Sequence, residues 1–232
     1  MILPKWNSLP DEMKTESVDE ILKILQGKKG GLALKRVFDF TVALLMLIII
    51  SPILLIIAIL IKVDSKGPVF YRQERVTAKN KTFKIFKFRT MVQDADQIGS
   101  LITVTQDARI TKIGKKIRKM RIDELPQLIN IIKGEMSFVG TRPEVRKYVE
   151  TYTDEMMATL LLPAGVTSLA SIAYKDEDEI MEKHMSQGEN ADEAYVKYVL
   201  PEKMKYNQKY LREFSFLGDL KIMIKTVISV LK

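Results

Sequence analysis

Apolar residues fill one long stretch in the first third of the chain. Residues 40–61 include no charged side chain, and as a helix they would extend for about 33 Å. This length is enough to cross the hydrocarbon core of a bilayer. The pattern therefore predicts one membrane helix, and no other segment of the sequence has a comparable run.

Ser51 and Pro52 lie in the middle of this run. Proline removes one backbone donor and its ring clashes with the carbonyl of Ile48, so a kink is expected, with the serine hydroxyl available to the freed carbonyl. Basic residues flank the run on both sides, so both ends favour the cytoplasmic face. These are Lys28, Lys29, Lys35 and Arg36 before the run, and Lys62, Lys66, Arg72 and Arg75 after it. A re-entrant helix that breaks at Ser51-Pro52 satisfies this symmetry, whereas a single kinked span is the alternative.

A short amphipathic helix is predicted before the membrane segment. Ser17 and Glu20 form a capping-box pattern, and one apolar stripe follows at helical spacing, formed by Val18, Ile21, Leu22 and Leu25. The stripe suits either packing on the rest of the protein or a position on a membrane surface. Residues 28–31 have the composition of a linker.

After the membrane segment, two short strands are predicted at residues 69–71 and 82–89, around a turn at residues 79–81. The second strand interleaves aromatic and basic side chains, which suits a nucleic-acid surface, a phosphorylated ligand or a solvated edge strand. Most of the remaining chain is predicted to be helical: a helix and loop at 92–108, and helices at 112–120, 144–162 (ending in a turn at 163–165) and 214–231. The last helix reads as interfacial or core-packing. The fold class predicted is α+β and mainly helical, with a small β-hairpin.

Charge and composition narrow the choice of partners. The 232 residues include 37 Lys and Arg against 29 Asp and Glu, no cysteine and one histidine, His184. A disulfide framework and a thiolate or histidine zinc site are therefore excluded, and His184 is expected at the surface. The net charge of +8 favours anionic partners, namely nucleic acid, acidic lipid headgroups or phosphorylated substrates. Residues 176–179 are acidic, but consecutive carboxylates indicate a solvated helix start rather than a metal site.

The most informative polar motif is the pair Asp123 and Glu124. Apolar residues after this pair recur at helical spacing, Pro126 is tolerated only in a first turn, and Gly134 suits a helix end, so a helix is predicted from about 123 to 133. The pair then lies at a helix N-terminus, where negative side chains and phosphates are both favoured. Two carboxylates beside a phosphate need a divalent cation and basic residues such as Arg118 to neutralise them. The alternative is that Asp123 is simply the N-cap.

In this order, the motifs of the chain resemble the bacterial sugar transferases, the monotopic phosphoglycosyl transferases that start glycoconjugate assembly on a polyprenyl-phosphate carrier. The resemblance covers about residues 34–232. It is carried by segments 35–40, 51–52, 67–75, 83–91, 118–126, 134–140, 142–143 and 214–223.

The resemblance implies a division of the chain and a site. Residues 1–33 would be an extension with the short amphipathic helix, residues 34–66 the re-entrant membrane helix, and residues 67–232 a catalytic domain on the cytosolic side of the bacterial inner membrane. Asp123 matches the family nucleophile and Glu124 its dyad partner, which holds Mg²⁺. Lys87, Arg118 and Arg142 match basic residues at the phosphate site.

The implied reaction transfers a sugar 1-phosphate from a nucleotide-diphosphate sugar, expected to be a UDP-sugar, to polyprenyl phosphate, and releases a nucleoside monophosphate. It would proceed through a covalent Asp-phosphosugar intermediate and initiate polysaccharide or glycoconjugate synthesis. The implied partners are these two substrates and membrane lipid, without nucleic acid, and a homo-oligomer stays open. Departures from the family pattern at Thr141, residues 162–171 and Asn207 leave the sugar and nucleotide undefined.

Two alternatives stay open at this point. One is the same chemistry by direct transfer in a ternary complex, with a hexose donor. The other is a membrane-tethered basic module that binds nucleic acid or anionic lipid, which explains the charge and the apolar segment but not a carboxylate pair amid arginines.

Overall fold

The computed structural model describes residues 3–95, 107–174 and 177–231. The helices are α1 (Glu16–Gln26), α2 (Lys29–Asp64), α3 (Lys112–Lys119), α4 (Leu128–Lys133), α5 (Arg146–Val149), α6 (Asp154–Met157), α7 (Leu169–Ala173), α8 (Glu177–Ser186), α9 (Ala191–Ala194), α10 (Leu200–Glu213) and α11 (Phe216–Leu231). Short 3₁₀ helices lie at Trp6–Ser8, Asp11–Met13, Ala78–Asn80, Ile122–Gln127 and Ala158–Leu161, and a π-helix at Tyr195–Val199. The predicted α+β, mainly helical class is confirmed.

The strands are short and pair in twos: β1 (Phe70–Tyr71), β2 (Glu74–Thr77), β3 (Lys81–Lys84), β4 (Lys87–Phe88), β5 (Met136–Val139) and β6 (Ala164–Thr167). β2 and β3 form an antiparallel hairpin around the predicted turn, with Lys79 and Asn80 at positive φ. β1 pairs with β4 in the antiparallel sense, so the predicted strand 82–89 is in fact two strands. β5 pairs with β6 in parallel. Neither β2 nor this parallel pair was predicted from the sequence.

Several other sequence predictions need correction. The predicted helix 144–162 is broken into α5, α6 and a 3₁₀ turn, and the predicted turn at 163–165 gives way to β6, which starts at Ala164. His184 is not a freely exposed surface residue, because it stacks on Tyr198 with ring centroids 3.7 Å apart and its side chain is 16% exposed. The predicted helix and loop at 92–108 lies largely outside the described residues, as does Asp176 of the acidic cluster. The helices predicted at 112–120 and 214–231 are confirmed as α3 and α11.

Helix α1 packs onto the rest of the protein. Its predicted apolar stripe is buried in a cluster that includes Leu161, Tyr210 and Leu211, so of the two interpretations of this helix the packing one is confirmed. The N-cap is Thr15, whose hydroxyl accepts from Val18 N, and the predicted capping box at Ser17 is wrong. No linker follows, because α2 begins at Lys29.

Helix α2 is continuous over 36 residues, with Pro52 inside it. Ser51 Oγ donates to the carbonyl of Ile48 at 2.9 Å, so the hydroxyl meets the acceptor that proline leaves without its usual donor. The backbone stays helical at this point, and the predicted break at Ser51-Pro52 is not confirmed. By length and composition α2 could cross a membrane, and much of its surface is apolar and exposed, for example at Ile49 and Leu55.

Both ends of α2 are fastened to the same folded body. Near its start, Lys35 Nζ donates to Asp219 Oδ2 at 2.5 Å and to the Val139 carbonyl at 2.8 Å. Arg36 donates to the carbonyls of Ile131 and Ile132 in the last turn of α4. Toward its end, the buried side chains share one cluster: Ile57, Ile61, Phe88 and Ile117. The long apolar helix is thus held by α4, α11 and β5 in its first half and by α3 and β4 in its second half.

Candidate active site

The carboxylate pair is presented by a tight turn between two helices. Arg121, which follows α3, adopts the left-handed conformation (φ 56°), and the 3₁₀ helix Ile122–Gln127 begins directly after it. This 3₁₀ helix continues into α4, which ends at Gly134 with φ 81°. The predicted helix at 123–133 is confirmed in extent, but its first part is 3₁₀. Arg121 is the N-cap and has no side-chain cap bond, so Asp123 is not a simple capping residue.

Glu124 is the centre of an ion-pair cluster. Its Oε1 accepts from Lys87 Nζ at 2.9 Å and from Arg142 Nη2 at 2.6 Å, and its side chain is 12% exposed. The two cations hold the pKa of Glu124 well below its usual range, although burial opposes them. Conversely, the charge of Glu124 raises the pKa of Arg142, while burial lowers the pKa of Lys87. Glu124 is therefore a carboxylate, and each of its partners is fixed by it.

Asp123 has the opposite electrostatic character. Burial and the neighbouring charge of Glu124 raise its pKa, and the charges of Lys87 and Arg118 act against this rise. No hydrogen bond or ion pair ties the Asp123 side chain to another described residue. An unpaired carboxylate in a partly desolvated position is more basic, and better suited to attack an electrophile, than one that is paired.

The predicted site residues therefore fall into three groups. The structure brings Lys87, Glu124 and Arg142 into direct contact. Asp123 interacts with this cluster and with Arg118 through charge, without a direct ion pair. Arg118 forms no ion pair with another described residue. Ser51 and Pro52 belong to α2 and take no part in the cluster.

Arg142 lies on an extended segment that is held from two sides, which the sequence did not reveal. Gly165 N donates to the Thr141 carbonyl at 2.8 Å, and Val76 N donates to the Glu144 carbonyl at 2.9 Å. The approach to β6 requires glycine, because a Cβ on Gly165 would lie 2.2 Å from the nitrogen of Gly140. Thr141 stands where the family pattern has proline. Because Thr141 contacts Gly165 through its backbone carbonyl, which proline also has, either residue can make this contact.

Further buried groups support this segment and were also missed. Tyr195, on the π-helix, donates to Glu144 Oε1 at 2.6 Å, and Lys203 Nζ donates to the Tyr195 hydroxyl at 3.1 Å. Burial and Glu144 raise the pKa of Tyr195 well above its ordinary value, so the phenol keeps its proton and stays a donor. Asn207, the third departure, is buried and contacts Met204 of its own helix. These residues are brought together by the π-helix and by contacts between distant positions. Neither feature has a signature in the sequence, so the residues could not be predicted.

The carboxylates fit a hard divalent cation in a limited way. Among the described residues, no group of three or more acidic, histidine or cysteine side chains could hold a metal. Mg²⁺ is commonly bound by one or two carboxylates and completes its coordination with water and substrate phosphates. Glu124 Oε1 accepts from two cations, but no hydrogen bond joins its second oxygen to another described residue. This donor set suits Mg²⁺ that arrives with a phosphorylated substrate.

A carboxylate pair ringed by cations, on a body fastened to one long apolar helix, is the arrangement expected of a membrane-associated protein that handles phosphate groups. The comparison with known proteins agrees. A model of the family described as bacterial sugar transferase matches residues 31–232. The chain belongs to this family.

Named relatives support the assignment. The chain is 34% identical over 201 residues to UDP-N-acetylgalactosamine-undecaprenyl-phosphate N-acetylgalactosaminephosphotransferase of Aeromonas hydrophila, covering 85% of the chain and 44% of that protein. It is 36% identical over 201 residues to UDP-glucose:undecaprenyl-phosphate glucose-1-phosphate transferase of Klebsiella pneumoniae, covering 85% and 40%. Exopolysaccharide production protein ExoY of Sinorhizobium fredii is 33% identical over 216 residues, covering 87% and 86%. The chain thus spans less than half of the first two relatives and most of the third.

Proposed function

We propose that this chain transfers a sugar 1-phosphate from a nucleotide-diphosphate sugar, of the UDP class, to polyprenyl phosphate in the inner membrane, at the start of polysaccharide or glycoconjugate synthesis. The observation that carries the proposal is the unpaired, partly buried Asp123 beside the cluster of Lys87, Glu124 and Arg142. The named substrates of the relatives belong to the same two classes. The segments that differ from the family pattern are expected to contact the nucleotide or the sugar. Release of nucleoside monophosphate from a panel of UDP-sugars would therefore identify the donor.

The first step forms one bond and breaks one. A carboxylate oxygen of Asp123 attacks the phosphorus that bears the sugar, and the bond from this phosphorus to the bridging oxygen breaks. The nucleoside monophosphate leaves with the electron pair, and the sugar phosphate stays on Asp123 as an acyl phosphate. An oxygen of the polyprenyl phosphate then attacks the same phosphorus and releases the Asp123 carboxylate, which gives a polyprenyl diphosphate sugar.

The cations and Glu124 have separable tasks. Lys87 and Arg142 place positive charge in a partly buried site, where it stabilises the charge that develops on the phosphate oxygens. Arg118 lies on the Asp123 side and favours the ionised nucleophile. Glu124 fixes Lys87 and Arg142 and, with its second oxygen, would hold Mg²⁺, which when bound neutralises the diphosphate of the donor.

The contacts of α2 support a re-entrant placement, and the basic residues on both flanks of its apolar run favour the cytoplasmic side for the catalytic body. Lys35 and Arg36 near one end and Ile57, Ile61 and Asp64 near the other all contact the same folded body. A straight crossing would separate these ends by the hydrocarbon core, about 30 Å. Because soluble elements reach both ends, we infer that both remain on one side of the bilayer, with the exposed apolar surface of α2 in the lipid.

Cysteine labelling tests this placement in a chain that has no native cysteine. In Gly30→Cys, where an added Cβ meets nothing within 4 Å, and in Lys66→Cys, an impermeant thiol reagent should label both residues in inside-out vesicles and neither in intact spheroplasts. Leu55→Cys, on the exposed apolar surface of α2, is the control and should stay unlabelled from either side. Labelling of the first two from opposite sides would establish a crossing helix and reject the re-entrant placement.

The reaction itself is tested without the acceptor. Purified full-length protein incubated with Mg²⁺ and a UDP-sugar alone should release about one nucleoside monophosphate per active site in a rapid burst and retain labelled sugar phosphate on the protein. Addition of polyprenyl phosphate should discharge the label into lipid. No burst but steady turnover when both substrates are present would favour direct transfer in a ternary complex. No monophosphate release from any UDP-sugar or UDP-hexose under either condition would overturn the proposed function.

A further inference from the structure

Helix α3 carries four lysines on one face. Lys112, Lys115, Lys116 and Lys119 recur at spacings of three and four residues, which places them along one stripe of the helix. All four are exposed, and none forms an ion pair with another described residue. We call these four residues the lysine face.

This arrangement is unfavourable for an isolated, solvated helix. α3 contains no acidic residue, so no lysine gains the usual support of an opposite charge one turn away, and like charges at this spacing repel. Lys112 lies in the first turn, where the macrodipole disfavours a cation. A helix with these costs, whose lysines form no ion pair on the described part of the chain, is suited to a negatively charged partner.

The other two faces of α3 are already occupied. Ile117 is buried in the cluster with Ile57 and Ile61 of α2, and Ile113 packs against that cluster. Arg118, at another angle on the helix, is near enough to the carboxylate pair for its charge to lower the pKa of Asp123. At about 100° per residue, the lysine face points away from both α2 and the site. It therefore needs a partner outside the fold.

The position of α3 identifies that partner. Ile113 N donates to Asp64 Oδ2 at 3.1 Å, so the first turn of α3 lies against the last residue of α2. Val63, one residue earlier, is 81% exposed, and Met120 at the end of α3 is 62% exposed. The lysine face thus begins beside the polar end of α2, the helix that carries the exposed apolar surface.

We propose that the lysine face binds the anionic phospholipid headgroups of the membrane that holds α2. Basic clusters of four or more residues next to a membrane segment attract anionic lipid in this way, and exposed Met120 supplies an apolar contact at the same depth. The inference rests on the proposed membrane placement of α2. It adds a second, electrostatic attachment that holds α3, and with it the turn at Arg121, against the bilayer.

Lipid quenching tests this proposal on the full-length chain. A fluorophore on Met120→Cys, in vesicles with equal small amounts of spin-labelled phosphatidylglycerol or phosphatidylcholine, should be quenched about two- to fivefold more by the anionic lipid at low salt. The preference should shrink in 0.5 M NaCl, where the screening length falls to a few ångströms. Changing the lysine face to glutamine in the same background should abolish it.

A matched variant separates position from net charge. Four exposed lysines elsewhere are changed to glutamine in the control: Lys5, Lys183, Lys205 and Lys209. The control should keep the preference for anionic lipid although its net charge falls equally. Equal quenching by both lipids in the protein that keeps all four lysines of the lysine face would overturn the proposal. So would a rise in the KM for the UDP-sugar in neutral detergent on changing the lysine face, since the lysines would then serve the donor.

The outcomes also distinguish this inference from the proposals on which it rests. If neither lipid quenches the probe, α3 does not lie at the membrane and this inference has failed, and the cysteine labelling then shows separately whether the placement of α2 holds. If anionic quenching is preferred but no nucleoside monophosphate is released from any donor, the proposed reaction has failed and the lipid contact stands.

Discussion

Asp123→Asn should fold normally and lose turnover by a factor on the order of 10⁴ or more, as expected when the proposed covalent nucleophile is removed. The amide keeps the size of the side chain but has no anionic oxygen. Because the Asp123 carboxylate is partly buried beside Glu124 and unpaired, its charge costs stability in the folded protein. The melting temperature of the variant should therefore be equal to or above that of the original chain, as at other sites where function opposes stability.

The measurement is steady-state release of nucleoside monophosphate together with thermal unfolding in the same detergent. The acceptor-independent burst should vanish, and no labelled sugar phosphate should remain on the protein. A residual rate within tenfold of the original chain, or a burst of normal size, would show that another group is the nucleophile. A large fall in melting temperature would instead assign Asp123 a structural role.

The local polar pattern was enough to predict the helical segment that carries Asp123 and Glu124. The carboxylate pair, the proline in the first turn and the glycine at the end are all within twelve residues, so a helix over this range could be placed from spacing alone, although its 3₁₀ first part could not. Lys87 was identified from the resemblance, and its contact with Glu124 across 37 positions is a property of the fold. The charges near the pair in the sequence suggested that basic residues neutralise it. They could not show that Lys87 and Arg142, rather than Arg121, contact Glu124.

What could not be predicted depends on contacts between distant segments. β6 follows a proline and contains glycine, which reads as a turn, yet Gly165 is needed because Gly140 approaches it so closely. Glu144 and Tyr195 are 51 positions apart, and the π-helix that carries Tyr195 has no local signature. The apolar run of α2 was evident, whereas its attachment through Lys35 to Asp219, 184 positions away, required the folded structure.

The same carboxylate-to-amide change one residue further, Glu124→Gln, should have the opposite effect on stability. It removes the acceptor of two ion pairs and leaves Lys87 and Arg142 without a counter-charge in a position where the Glu124 side chain is 12% exposed. Breaking a buried pair from one side costs about 3 kcal/mol, which corresponds to a fall in melting temperature of about 6–12 °C for a chain of this length. Activity should also fall, by about 10²–10³-fold, because the cations lose their position and a hard anionic ligand is lost.

Thermal unfolding of the two single variants and a double-mutant cycle with Lys87→Met measure this effect. If the pair is responsible, removing Lys87 should cost less free energy of unfolding in the Glu124→Gln background than in the original chain, since an unpaired buried cation is then removed. Activity titrated with Mg²⁺ should show a higher half-saturating concentration in Glu124→Gln than in the original chain. An unchanged Mg²⁺ requirement would show that Glu124 is not the metal ligand. Additive stability effects in the cycle would mean that Lys87 and Glu124 are not energetically coupled.

Asp123→Asn is the matched control, because it changes the same chemical group one residue away. A fall in melting temperature confined to Glu124→Gln would trace the loss to the cluster with Lys87 and Arg142 rather than to a general disturbance of the 3₁₀ helix.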